Sequence, residues 1–275
     1  MDIKLIGDKL KSLQSNNKPQ REKIDYAKIY WKPKEEGKYV IRIVPSKFDK
    51  SNPFKEIFVH YGLSKFPAPA LTNWGEKDPI VEFAKKLREE DDVESYKMSK
   101  KIEPKMRVVA PVIVRGEEHK GVRLWEFGKE IYMQLLGIAE DEDYGDYTDI
   151  AEGRDFTIEV VYGDIGGRKG LKSSIRIKPK QTPLSNDDKE ITKWLEDQPN
   201  ILDALFKNKY ENLKEMLAKF LTPEGDEDGG EEILSGDENE DETVNYFDKN
   251  DKPAKSTPKN IPNIKKFDDL FGDDE

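Results

Sequence analysis

The sequence predicts a mainly β fold with α additions, built as a Greek-key barrel of short antiparallel strands. Three observations carry this reading. Short β-branched runs alternate in hydropathy and stop at turn residues. Segments of helical period stand between the early strands and after the last one. A change of composition after Leu221 sets the folding part apart from a polar terminus.

Each element has its own signal. "GKYVIRIVPSK" sets Tyr39, Ile41 and Ile43 against Val40, Arg42 and Val44, and Pro45 stops the strand. "FKEIFVHYGL" is a second strand. "DPIVEFAKKLREEDD" has helical spacing through Ile80, Phe83, Ala84 and Leu87. "MRVVAPVIVRG", the turn "GEEHKG" and "VRLWEFG" form a hairpin, and "KEIYMQLLGIAE" a short helix. "RDFTIEVVYG" and "LKSSIRIKP" are strands joined through the Gly-rich "GDIGGRKG". Two amphipathic helices follow. Asn186 or Asp187 caps the first, and Pro199 or Asn200 starts the second, which runs to Leu221. Five or six strands and their helices thus fit within residues 22–221.

The 275 residues are 35% hydrophobic and 38% charged, with a mean hydropathy of −0.86, too polar for a chain that packs throughout. Residues 222–275 hold 18 acids and 6 bases, few apolar groups and many Gly, Ser and Pro, and are expected to be disordered. The net charge of −10 therefore hides a body of about +2 beside a tail of −12. Bases concentrate in residues 1–47, 97–129 and 168–180. A basic body with an acidic tail is the asymmetry of a polyanion binder that carries its own competitor. At the other end, Ile3, Ile6, Leu10 and Leu13 share a helical face among lysines, so residues 1–21 read as a basic arm that packs on the body or docks on a neighbouring protomer. The lack of cysteine, of long apolar spans and of a signal-like N-terminus predicts a soluble cytoplasmic protein without disulfides or thiolate metal sites.

Catalytic chemistry has little support. His60 and His119, the two histidines, lack a nucleophile motif around them. The acidic run "DEDGGEEILSGDE" lacks the ligand order of a calcium loop, and "GDIGGRKG" lacks the GK[ST] of a phosphate loop. We expect a non-enzyme without cofactor. Aromatic residues interleaved with bases carry the stronger signal. Tyr96 lies among Lys97, Lys100, Lys101, Lys105 and Arg107; Arg123, Trp125 and Phe127 share one face of a strand that leads to Lys129 and Tyr132. Phe127 and Tyr132 read as core, whereas Tyr96 and Trp125 read as stacking groups. Single strands need such a platform: bases stack on aromatic rings while Lys and Arg follow the phosphates. Arg168, Lys169 and Lys172 add a basic hairpin with glycines that let backbone approach a ligand.

The order of "YWKPKEEGKYVIRIVPSK", "FVHYG", "ESYKM", "VRLWEFGKEIY" and an acidic tail resembles the helix-destabilising single-stranded DNA-binding proteins of T-even-type bacteriophages, over about Trp31 to Lys129. The resemblance implies an OB-fold (five-stranded Greek-key barrel) core with a small helical subdomain and C-terminal helices. It implies three parts: a basic N-terminal arm (1–21) for cooperative binding along the strand, an ssDNA-binding core (22–221), and a disordered acidic tail (222–275) that binds replication and recombination proteins. Carried over by motif, Arg42, Lys47, Tyr96, Trp125 and Lys129 fall where the family contacts DNA. Two departures stand out. The family's structural zinc, held by one His and three Cys, has only His60 here, because the matching segment reads "DPIV" with Asp78 and Val81. The arm also lacks a clean match to the family's Lys/Arg-Ser-Thr element.

The expectation is a phage-encoded protein, acting in the cytoplasm of an infected bacterium, that coats ssDNA in replication, recombination and repair. The competing readings are an adaptor or scaffold whose barrel and tail bind proteins, and an RNA-binding OB-fold protein. In the terminal "KKFDDLFGDDE", Phe267, Leu270 and Phe271 are spaced for one apolar face of an induced helix, with Asp268 and Asp269 between them.

Overall fold

The computed structural model describes residues 26–165, 168–222 and 264–271. The basic arm (1–21) and residues 223–263 and 272–275 of the tail lie outside the described residues. A short helix α1 (Tyr26–Ile29) leads into β1 (Tyr30–Trp31), β2 (Gly37–Ile43), β3 (Lys55–His60) and β4 (Ala68–Pro69). Helices α2 (Pro79–Arg88) and α3 (Val93–Ile102) precede β5 (Lys105–Val114) and β6 (Arg123–Phe127). Then come α4 (Lys129–Glu140), β7 (Arg154–Ile165), β8 (Arg168–Gln181), α5 (Asp188–Glu196), α6 (Tyr210–Leu221) and α7 (Ile264–Phe271).

The strands form one eight-stranded sheet in a mixed α/β molecule. Its path runs β1-β6-β5-β2-β7-β8, and β3 joins the same edge of β5 as β2, with β4 beside it. β5 is the hub: Val112–Val114 pair with β2, and Lys105–Val109 pair with β3. Its even-numbered residues Val108, Ala110 and Val112 face a core shared with Ile41, Ile43, Trp125, Phe127, Phe156, Ile158 and Val160. Residues from β2, β5, β6, β7 and β8 thus enclose one apolar core, which requires a strongly curled sheet. The odd-numbered Val109 and Ile113 face the opposite side, where Leu124 and Ala204, or Val44 and Trp194, cover them. A strand buried on both faces accounts for the unbroken apolar run "VVAPVIV".

Helices α2, α3 and α6 build a second core at the far end of β3. Asp78 caps α2, its carboxylate accepting from the backbone N–H groups of Ile80 and Val81, with Pro79 in the first turn. Ile80, Phe83, Ala84 and Leu87 then pack on Leu213, Leu217 and Leu221 of α6. Asp92 caps α3 through Ser95 N–H, and Asp187 caps α5.

Three expectations are corrected. The sheet has eight strands rather than five or six, because the two-residue β1 and β4 are too short to leave an alternating pattern. The stretch after Pro199 is not one helix: residues 201–205 form turns, and α6 starts only at Tyr210. The two parts serve different cores, since Ile201, Ala204 and Leu205 pack behind β3 and β5 while α6 packs on α2. Within the tail, Ile264–Phe271 is a helix rather than disordered chain, because Phe267 and Phe271 find apolar surface on the body.

Candidate nucleic-acid interface

In three places, bases that the sequence put forward lie beside an exposed aromatic ring. The first is α3. Its cap at Asp92 aims Tyr96 outward, 52% exposed, and Lys100 follows one turn later with its ammonium 5.8 Å from the ring centre. Lys97 is exposed beside them, and Lys105 is exposed at the first residue of β5. Lys101 is half-buried, its ammonium 5.3 Å from the Phe220 ring. The second is the β2–β3 loop, where Lys47 donates from Nζ to the Glu196 carbonyl at 2.7 Å and lies 6.0 Å from the exposed Phe48 ring.

The third is the β7–β8 ribbon. Tyr162 opposes Leu171, and Asp164 opposes Lys169, so Tyr162 and Lys169 lie on the ribbon face that carries Ile158 and Val160 into the core. Beyond Val160 that face emerges: Tyr162 is 58% exposed and Lys169 is exposed. Lys172 opposes Val161 and is exposed on the other face. Arg168 begins β8 opposite Ile165. Lys129 is exposed at the start of α4.

Four expected contacts are corrected by burial. Trp125 is 3% exposed, with Trp31 at 6.2 Å and Phe127 at 4.3 Å between ring centres, so no ring face is open to a base. Arg42 is fully buried: Nε donates to Asp155 at 2.8 Å and its terminal nitrogen to the Thr182 carbonyl at 2.7 Å and hydroxyl at 2.6 Å. Arg107 is buried and donates to Glu126 at 3.1 Å. Lys32 joins that group; burial pushes its ammonium down to about 8, although Glu126 acts the other way. Arg123 is buried and donates to Glu117. Arg42 and Arg107 neutralise largely buried carboxylates, and moving them to phosphate would strand those charges, whereas Arg123 is itself buried against the more exposed Glu117.

The segment in which the resemblance implies zinc is closed by a different device. His60 is buried, with Nδ1 3.1 Å from the Ile102 carbonyl and Nε2 3.2 Å from Asp78 Oδ2. Both ring nitrogens are thus engaged, one by a backbone carbonyl and the other by a carboxylate. Asp78 also accepts from Leu71 N–H at 2.8 Å. Burial opposes its charge, but the His60 hydrogen bond and the backbone N–H groups outweigh it and hold its pKa below the ordinary value. With both ring nitrogens engaged and no cysteine in the chain, these residues do not fit a zinc ion.

Sequence reasoning passed over Tyr162, Phe48 and the partly exposed Phe58. Tyr162 carried a readable signal, standing at the end of a strand next to the basic loop; Phe48 and Phe58 did not differ in pattern from core residues. Among the tail residues, Phe267 and Phe271 pack on the helical core, Leu270 is 38% exposed, Asp269 is exposed, and Asp268 lies between them in α7.

A comparison with curated proteins returns no match. A family model described as "gp32 DNA binding protein like" matches residues 35–222, which takes in strands β2 to β8, helices α2 to α6 and Tyr96. The chain therefore belongs to the gp32-like family of DNA-binding proteins.

Proposed function

We propose that this protein binds single-stranded DNA with little sequence preference, as a non-catalytic coat for transient strands. The observation that carries the reading is the exposed Tyr96 with Lys100 over its ring, on a helix that also presents Lys97. An exposed ring accepts any base because every base has a π-face, and flexible lysines follow the phosphates without reading sequence. Tyr162 with Lys169 on the β7–β8 ribbon supplies a second such pair, and the curled sheet that bears the ribbon is read as an OB barrel. Lys47, Lys101, Lys105, Lys129, Arg168 and Lys172 are the proposed further phosphate contacts. The proposal extends to phage DNA replication, recombination and repair in an infected bacterium, to self-association through residues 1–21, and to recruitment of replication and recombination proteins through the acidic tail.

The test is a competition at fixed salt between labelled oligo-dT and unlabelled competitors. Mixed-sequence single strands should displace the label, and a duplex of the same sequence should displace it at least tenfold more weakly. Equal displacement by duplex would sink the single-strand reading. An RNA strand of the same sequence that competes better than DNA would favour RNA as the ligand.

A further inference from the structure

Helix α7 is seated on the body, and its seat is a groove rather than an incidental contact. Phe267 and Phe271, four residues apart, face the same way from the helix. The Phe267 ring meets Phe83 of α2 edge-on, with centres 6.1 Å apart and planes at 71°. Phe271 lies tilted against Phe267, with ring centres 4.9 Å apart, and has the Lys214 ammonium of α6 5.0 Å from its ring centre. The same ammonium donates to the Phe271 carbonyl at 3.1 Å, which gives the C-terminal end of α7 a cation where its dipole is negative. Apolar anchors, a complementary charge and a fixed orientation are what a helix-in-groove site requires.

We propose that the groove between α2 and α6 is a docking site for a Phe-x-x-x-Phe helix, and that its resident occupant is the chain's own Ile264–Phe271 segment. Docking and partner recognition then exclude one another, because both use Phe267 and Phe271. The proposal goes beyond DNA binding and is tested without DNA. Residues 223–263 join the helix to α6 within one chain, so the docking is intramolecular. At an effective concentration of about 1 mM, the order expected when two partners share one chain, a helix with an intrinsic Kd of about 0.1 mM is docked in about nine of ten molecules. A competing helix is then weakened about tenfold.

The experiment measures binding of a fluorescein-labelled peptide of residues 260–275 to the full chain by anisotropy. The Phe267→Ala/Phe271→Ala chain, its groove vacated, should bind the peptide about tenfold more tightly than the unaltered chain. Adding Lys214→Glu to that double variant should weaken the peptide severalfold, which places it in this groove. Equal affinity of the unaltered and double-variant chains, or no binding by the double variant, overturns the proposal. So does sedimentation showing a dimer of the unaltered chain that the double variant abolishes, since the helix would then dock on a neighbour.

Discussion

Asp78→Ala is the substitution that most directly probes how the helical core holds together. The Asp78 carboxylate caps α2, accepts the Leu71 N–H and pairs with His60, all in a buried site. Loss of the cap costs about 1 kcal/mol. Leaving the Leu71 N–H buried without its acceptor costs about 1–3 kcal/mol. Removing one partner of a buried ion pair costs about 3–5 kcal/mol when the other stays charged. These contributions overlap because they share one carboxylate, so the expected total is about 3–5 kcal/mol. Asp78→Asn keeps an acceptor for the cap but loses the charge, and should cost about half as much. Urea titration of the full chain gives the totals. Hydrogen exchange should show the loss concentrated in α2, α3 and α6, with the curled sheet protected. A cost below about 1 kcal/mol for Asp78→Ala would refute the reasoning, as would equal costs for the two substitutions. The pH dependence has a defined sign. The folded pKa of Asp78 is lowered, so its contribution is present above the ordinary Asp value of 3.8 and is lost as pH falls through the lower folded value.

Further outcomes follow from the placement of the aromatic and basic groups. Tyr96→Ala should weaken oligo-dT binding about tenfold, in line with about 1–3 kcal/mol per stacked base, and leave the unfolding midpoint nearly unchanged. Trp125→Ala should do the reverse, destabilising the fold by about 3–5 kcal/mol because it empties a core site; a binding loss without destabilisation would restore it to the interface. Lys169→Ala with Lys172→Ala should make the salt slope of oligo-dT binding shallower by about 0.7 for each phosphate contact removed. An unchanged slope would take the β7–β8 ribbon out of the interface.

Much of the fold was legible because its strands and caps are written locally. Pro45 ends β2, Asp78-Pro79 starts α2, and Asp187 starts α5, as local chemistry requires. The α3 helix was less legible: "VESYKMSKKI" is short, highly charged and buries only Ser95, Ser99 and Ile102, so it lacks a broad apolar stripe. The stretch 199–221 looked like one helix because helical spacing says nothing about which core each turn will meet. Exposure of the candidate contacts was legible for Tyr96, Lys97, Lys100 and Lys105, which sit in a strongly charged stretch. It was not legible for Arg42, Arg107, Arg123 and Trp125. Alternation puts Arg123 and Trp125 on one strand face, but only the tertiary fold reveals that the face is covered. Likewise Asp155, the partner of Arg42, is distant in sequence.

The most direct measurement is the affinity of the full chain for oligo-dT across a salt series, read by anisotropy of a labelled strand. With about five phosphates neutralised by the exposed lysines, log affinity should fall with log salt at a slope near −3.5. A duplex of the same length should bind much more weakly at every salt. An affinity for oligo-dT that does not change with salt, or no measurable binding at low salt, would contradict the account.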